Sequence, residues 1–482
     1  MSTPKLLRAF AFLFISFLFV ACSNNDDYTP SYDAQLKNFS FTSVNAGISG
    51  TTSGVVTSQL DPSHMLSNSM VLITVPESCD LTNLKASFSI HEKATLYING
   101  TEQTSEQNAA DYSSIVTLKI VAETGDEKQY DVLVKKGDPI IDTKIYQLMH
   151  TYSIPGVSVS VAKDDDMIYS YGYGFADVST KELVTPNHLF RLASISKQFT
   201  TICIMKLYEE GKLDLDDKVF GTGGHLDAQF PGITGSKAEV SIRQFLNHTS
   251  GWKSNPYDPQ FDSPYKNYSL DDQIRYMLST DRTFSGSTNY SYYNLGFSIL
   301  GKIIEKVSGK PYEEYLQEVM ALAGVTDVHV GKDFAGKKSN ECVYYSQNGY
   351  NGYGNNMPAI AAAGGVIASA VEMMKLIAQV DGKGTDILQK TTIDEMYMPS
   401  SNADNTGKLL YALGWRVGHR LYPGAHMHSG NLAGTATIWC GDANNGTNAV
   451  ILMNSRSYRS DVTDFDDAYY ILLGDIVAHF SN

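Results

Sequence analysis

Short apolar runs broken by polar turns fill the first part of the chain. Residues 70–75, 94–98, 115–121 and 130–134 are rich in β-branched side chains, with turn chemistry at Asn99-Gly100 and Thr124-Gly125-Asp126. The pattern predicts a small all-β sandwich over residues 35–137. Lys135-Lys136-Gly137-Asp138-Pro139 ends it, and a helix is expected over 143–152. Residues 156–162 and 167–173 then alternate as two strands of a hairpin around Asp164-Asp165-Asp166. Nothing nearby completes a metal site on those aspartates, so they read as a solvated turn. Residues 200–400 carry mainly helical patterns and long loops. Strands return at 413–417, 435–439 and 449–453, the last two joined at Asn445-Gly446. A closing helix over 467–480 places Ile471, Leu472, Ile476 and Val477 on one side. Strands from both ends of residues 138–482 are therefore expected to share one antiparallel sheet. Helices flank it and a helical lobe is inserted between the ends, an α/β (α+β) architecture.

Composition adds location. The chain has 482 residues, a formal net charge of −15 and a pI near 5.1, with no basic block, so nucleic acid is not an expected partner. Lys5 and Arg8 precede the apolar run 9–21, which is too short for a stable transmembrane span. Val20-Ala21-Cys22 resembles the end of a bacterial lipoprotein signal, with Cys22 as the lipidated residue. Residues 1–21 are then the signal peptide and 22–34 a polar, flexible tether. Asp26-Asp27 is similar to the surface-export signals of Bacteroidetes lipoproteins, and residues 121–132 resemble the end of their immunoglobulin-like modules. The expectation is a protein of the cell envelope, at the outer membrane or cell surface, held to the membrane by a lipid anchor. The sandwich would act as a spacer, since no cluster of exposed aromatics marks it as a glycan or partner site. Cys79, Cys203, Cys342 and Cys440 contain no Cys-x-x-Cys pair, and their spacing names no disulfide. Cys203, in an apolar helix, reads as a small buried hydrophobe.

The candidate chemistry centres on residues 192–200, which open a helix. Ser194 and Lys197 are three apart and share a helix face. A serine hydroxyl is a poor nucleophile until a neighbour takes its proton, and a partly desolvated lysine can do so. The same spacing occurs at Ser2/Lys5, Ser160/Lys163, Ser250/Lys253 and Ser263/Lys266, none of which opens a long helix. Two further stretches follow in order. Tyr292-x-Asn294 precedes a helix expected over 298–307, and a phenol beside a cationic lysine is easier to ionise. Asn294 could hydrogen-bond substrate or hold Lys197. His428-Ser429-Gly430-Asn431 precedes a strand; Gly430 would admit substrate backbone, and the N–H groups of Asn431 and Ser194 could cradle an oxyanion.

Ser194-x-x-Lys197, Tyr292-x-Asn294 and His428-x-Gly430, in this order, resemble the serine β-lactamase and penicillin-recognising hydrolases, in the branch of class C β-lactamases, DD-peptidases and related esterases. Phe190-Arg191-Leu192-Ala193, Leu246-Asn247-His248-Thr249-Ser250-Gly251, Ala363-Gly364-Gly365-Val366 and Leu413-Gly414-Trp415 match as well. The resemblance implies an acyl-enzyme on Ser194, with Lys197 and Tyr292 moving its proton. Asn294, His428, Gly430 and Asn431 would bind substrate, and neither cofactor nor metal is needed. The substrate would be a small molecule or peptide carrying an ester, amide or peptide bond. His248 is given a structural part. Two departures stand out. His428 replaces the lysine usual in β-lactamases, which removes a fixed charge for the antibiotic carboxylate and points to a DD-peptidase or esterase rather than an efficient β-lactamase. Protonating His428 at lower pH would restore that charge. Tyr293 stands where Ser or Ala is usual and would narrow the cleft. The rival readings are a true β-lactamase and a non-catalytic surface binding protein.

Overall fold

A computed structural model describes residues 29–481, apart from 59, 61–65, 255–257, 262–263, 284–288, 382–386, 403–409, 419–423, 444–445 and 460. The expected signal segment, residues 1–21, and Cys22 lie outside the described residues. The first strands form a four-stranded and a six-stranded sheet. Phe39 and Phe41 from one sheet and Val71, Leu118 and Val132 from the other share an apolar core. Strand Ser69–Val75 runs parallel to Glu127–Lys136 in the larger sheet. Its sequence is apolar without alternation because both faces are buried. Val71 and Ile73 face the sandwich core, whereas Met70 and Leu72 join the core of the domain that follows.

That domain begins at helix Pro139–Tyr152, whose first turn is capped by the Asp138 side chain. The helix starts earlier than its apolar period suggests, because Pro139 and its acidic cap supply the start signal. A nine-stranded sheet follows, antiparallel throughout. Gly156–Lys163 lies beside Thr447–Met453, with Val159 opposite Ile451, so the two ends of the domain meet at the sheet's centre. Asp164 and Asp165 join the hairpin with φ of 49° and 69°, the left-handed pair a tight two-residue turn requires. On one face Val157, Val159, Ile451 and Met453 pack against helices Pro139–Tyr152 and Phe465–Phe480. On the other, Val450, Leu452 and Trp439 pack against a lobe that includes helices Ser196–Glu209, Asn294–Ser308, Tyr312–Ala321 and Ala370–Ala378. This is the mixed β-lactamase-like fold that the motifs implied.

Two expected details change. Ile471 is 60% exposed; Tyr469, Leu472, Leu473, Ile476 and Val477 form the buried face, since 471 falls on the far side of a 3.6-residue period. Of the strand expected over 413–417 only Arg416–Val417 forms, and it pairs back onto a separate strand, Leu410–Tyr411. Gly414 between them has φ 78°, and a Cβ there would lie 2.1 Å from Thr201 Oγ1 on the Ser196–Glu209 helix. The glycine lets the sheet edge turn onto the back of that helix, and its N–H bonds the Leu246 carbonyl at 2.9 Å. Cys79, Cys203, Cys342 and Cys440 are all buried. Among the described residues no helix is long and apolar enough to cross a membrane.

Candidate active site

Ser194 lies in a 3₁₀ turn, Ala193–Ile195, that feeds the helix Ser196–Glu209. Ala193 has φ 49°, a left-handed backbone that costs a side-chain-bearing residue roughly 1–2 kcal/mol. The segment 362–366 holds the turn in place. Leu192 N–H bonds Val366 O at 2.9 Å, Val366 N–H bonds Ser196 Oγ at 2.9 Å, and Thr200 Oγ1–H bonds Ala362 O at 2.6 Å. From the sheet side, a Cβ on Gly430 would lie 2.2 Å from Leu192 O and 3.0 Å from Ala193 Cβ. Gly430 thus has an internal reason to be glycine: it lets the strand His426–Leu432 close directly onto the Ser194 turn.

Lys197 is fully buried and has three partners: Asn294 Oδ1 at 2.9 Å, Ala363 O at 2.8 Å and Ser194 Oγ at 3.2 Å. The first two can only accept, so they claim two amine hydrogens. The third position of Nζ faces the serine, as an N–H when the amine is charged and as a lone pair when it is neutral. Burial pulls the Lys197 pKa down to about 7; the Asp258 charge opposes this and the Arg416 charge adds to it. Asp258 also accepts from Asn294 Nδ2 at 2.8 Å, which fixes the amide with its oxygen toward Lys197. Asn294 is the first residue of helix Asn294–Ser308, so the second motif sits at that helix's start.

Tyr292 sits with its ring 4.9 Å from Lys197 Nζ. Its pKa is raised, chiefly by burial, and the Ser194 hydroxyl pulls only partly the other way. The expected easier ionisation is therefore reversed, because loss of hydration outweighs the Ser194 hydroxyl and the Arg416 charge, the two influences that favour the phenolate. The Tyr292 hydroxyl is buried and has no hydrogen bond of normal geometry among the described residues. It stands as a protonated phenol next to the serine.

His428 is buried, and both ring nitrogens are engaged internally: Nδ1 with Ser429 O at 2.7 Å and Nε2 with Tyr411 Oη at 3.0 Å. Burial, with the charges of Arg416 and Lys197, holds its pKa well below the usual imidazole range. Protonation of His428 at mildly acid pH, expected from the sequence, is thus opposed by burial and by both cations, against the Ser429 carbonyl alone in its favour. Asn431 turns its side chain away from Ser194 onto the C-terminal helix, donating to Tyr469 Oη at 3.2 Å, which leaves its backbone as the group available to a substrate.

The structure brings Ser194, Lys197, Tyr292, Asn294, His428 and Gly430 into one neighbourhood, adds Asp258, Tyr411 and Arg416, which the sequence did not single out, and draws in His248, which it had given a structural part. Asp258 and Tyr411 carried no motif. His248 lay in a flanking match but is part of the site, its ring 4.2 Å from that of Tyr292. Arg416, two residues past Gly414, is half-buried and has no carboxylate partner among the described residues. Among the described residues its Nε is without a hydrogen bond, and its Nη1 donates to Tyr470 Oη at 3.4 Å. Among the described residues no group of His, Cys, Asp and Glu could hold a metal ion.

Comparison with known proteins places this site in context. The Beta-lactamase family model matches residues 141–473. Protein flp of Staphylococcus aureus (strain COL) is 30% identical over 176 residues, 36% of this chain and 34% of that protein. Penicillin-binding protein 4* of Bacillus subtilis is 32% identical over 179 residues, 36% of this chain and 37% of that protein. The chain thus spans about a third of the length of these curated relatives. Among solved structures, an octameric penicillin-binding protein homologue from Pyrococcus abyssi has TM-score 0.59 and 24% identity over 71% of this chain and 77% of that one. A D-stereospecific amidohydrolase from Streptomyces has TM-score 0.52 and 22% identity over 63% of this chain and 91% of that one. Both show the fold.

Proposed function

Because the chain belongs to the beta-lactamase family, we propose that it is a serine hydrolase that acylates Ser194 and acts on ester, amide or peptide bonds. The observation that carries this is the environment of Lys197. A buried amine with pKa about 7 has two hydrogens tied to Asn294 and Ala363 and its remaining position on Ser194 Oγ. In its neutral form it takes the serine proton as Oγ attacks the carbonyl. Tyr292, kept protonated by burial, gives its proton to the leaving group and recovers one from Lys197. The N–H groups of Ser194 and Asn431 are the donors proposed for the oxyanion. Water then releases the acyl group.

The preferred substrates are DD-peptides or esters, because the third motif supplies a neutral, fully engaged His428 where a lysine would supply charge. Arg416 favours a second reading. A half-buried guanidinium with no carboxylate partner among the described residues suits a substrate with an anionic end, which both D-Ala-D-Ala peptides and β-lactams carry. A hydrolysis screen over p-nitrophenyl esters, D-Ala-D-Ala peptides and nitrocefin separates these. Efficient nitrocefin turnover at pH 7.5 with no ester or peptide hydrolysis makes the protein a β-lactamase. A fluorophosphonate probe should label one serine, and Ser194→Ala should abolish the label; a label surviving in that variant overturns the assignment. No labelling together with no turnover would favour the binding-protein reading.

Lipid anchoring at Cys22 to the cell envelope belongs to the same proposal and rests on Ala21-Cys22 and the polar tether. The Cys22→Ser protein should leave the membrane fraction; unchanged fractionation counts against the anchor.

A further inference from the structure

The second and third motifs are joined through two side chains that neither motif contains. Tyr292 is bracketed by His248: the amide of Ser291 donates to the His248 carbonyl at 2.9 Å, and the amide of Tyr293 donates to His248 Nδ1 at 3.1 Å. Both residues flanking Tyr292 are thus tied to one side chain and its backbone. His248 has φ 58°, a left-handed conformation that a non-glycine side chain keeps only where its surroundings hold it.

The proton positions are dictated by the partners. An amide can only donate, so His248 Nδ1 carries the lone pair and, in a neutral ring, Nε2 carries the hydrogen. That hydrogen points to Tyr411 Oη at 3.2 Å. A carbonyl can only accept, so His428 Nδ1, 2.7 Å from Ser429 O, carries the hydrogen and Nε2 carries the lone pair. Tyr411 therefore accepts from His248 and donates to His428 at 3.0 Å. All three side chains are at most 1% exposed. Buried and facing the charges of Lys197 and Arg416, both rings are held neutral. Each ring nitrogen in the chain has one partner of the required kind, the Tyr411 oxygen accepts one hydrogen and donates another, and reversing either tautomer would set two donors or two acceptors against each other.

We propose that His248 and Tyr411 are positioning residues: His248 fixes the Tyr292 backbone and ring beside Ser194, and Tyr411 carries that order to His428 by a hydrogen-bond chain of one direction. This rests on the reading of Ser194, Lys197 and Tyr292 as the acylating group. The chain moves no proton during turnover. Its work is to hold the phenol and the third-motif strand in register, where an ångström of misplacement can cost about 100-fold in rate.

The test is spectroscopic first. With ¹⁵N-labelled histidine in the full chain, His248 should show the hydrogen on Nε2 and His428 on Nδ1, with assignment by loss of each signal in His248→Asn and His428→Gln. The same tautomer on both rings, or a cationic ring at pH 7, overturns the chain. Kinetics come second. Tyr411→Phe keeps the ring and removes the hydroxyl; it should lower kcat up to about 100-fold with little change in KM, and the His428 signal should cease to be purely Nδ1–H. His248→Asn tolerates the left-handed backbone and offers Oδ1 to the Tyr293 amide, so it should recover most of the kcat that His248→Ala loses. Equal kcat in folded His248→Ala, His248→Asn and unsubstituted protein would refute the positioning role. Fluorophosphonate labelling of Ser194 in the same samples separates the two failures. Opposite tautomers without labelling would sink the acyl-enzyme reading alone, and labelling with matched tautomers would sink the positioning chain alone.

Discussion

If neutral Lys197 is the base, its protonation sets the acid limb of the rate, and Asp258 sets where that limb falls. With a pKa of about 7, half of the amine is neutral at pH 7 and about a tenth at pH 6, so kcat/KM for a neutral p-nitrophenyl ester should fall about fivefold over that unit. Above pH 8 it should level off. An unperturbed lysine would instead give a rate still rising about tenfold per unit at pH 8. Asp258 is the charge that pulls the Lys197 pKa upward against burial. Asp258→Asn removes that anion yet leaves an oxygen to accept from Asn294 Nδ2, so the amide orientation is kept. The sign is then fixed: with less to favour the ammonium, the pKa falls, and more base is free at low pH. A shift of about one unit, the low end for a nearby charge, would raise kcat/KM at pH 6 about fivefold and leave the plateau unchanged. The assay is initial-rate hydrolysis from pH 5 to 9, with thermal melts confirming that each sample is folded. A flat wild-type profile between pH 6 and 8, or an acid limb unmoved in Asp258→Asn, refutes the assignment of Lys197 as base.

Tyr292→Phe deletes only the hydroxyl, which makes no hydrogen bond of normal geometry, so the melting temperature should hold while turnover falls about 10²–10⁴-fold; full activity would move proton delivery to Lys197 or to water. Arg416→Met should reduce kcat/KM about 10- to 100-fold for carboxylate-bearing peptides, the loss of one charge-assisted contact of about 1.5–3 kcal/mol, and spare neutral esters. Equal losses on both substrate types would show that Arg416 supports the fold rather than an anionic substrate.

The architecture was legible wherever hydrophobic period and turn chemistry agreed. The hairpin at Asp164-Asp165, the strands 435–439 and 449–453 and the meeting of both domain ends in one sheet all arise from local pattern. The break at Gly414 did not, because it is set by the distance to Thr201, and the sequence does not print distances between helices. The site divides in the same way. Residues bound by short spacing, Ser194 with Lys197 and Tyr292 with Asn294, could be read directly. His248, Asp258, Tyr411 and Arg416 could not, because each matters through what it faces across the fold. The pKa errors share one cause. The sequence shows which charges are neighbours but not how much water they have lost, and desolvation outweighs the neighbouring charge for Tyr292 and sets the direction for His428.

The same limit bears on the N-terminal sandwich. A spacer on a tether would need few contacts with the hydrolase domain. Here Met70, Leu72 and Leu133 from the sandwich pack in one apolar core with Ile141, Ile145 and Met149 of helix Pro139–Tyr152. Beside that core Asp142, fully buried, gathers Thr74 Oγ1 at 2.9 Å, the Tyr173 hydroxyl at 2.6 Å and Lys135 Nζ at 3.3 Å, together with the hydroxyl of Tyr169. Thr74 and Lys135 come from the sandwich and the two tyrosines from the large sheet. Lys135 also lies 3.5 Å from the Tyr173 ring centre. A buried carboxylate is strongly destabilising unless it is paired and hydrogen-bonded, and here the groups that satisfy it are divided between the two units. Separating them would strand Asp142 with part of its partners and expose apolar surface on both sides. The sandwich is therefore built into the hydrolase domain at its first helix, and the two form a single stability unit.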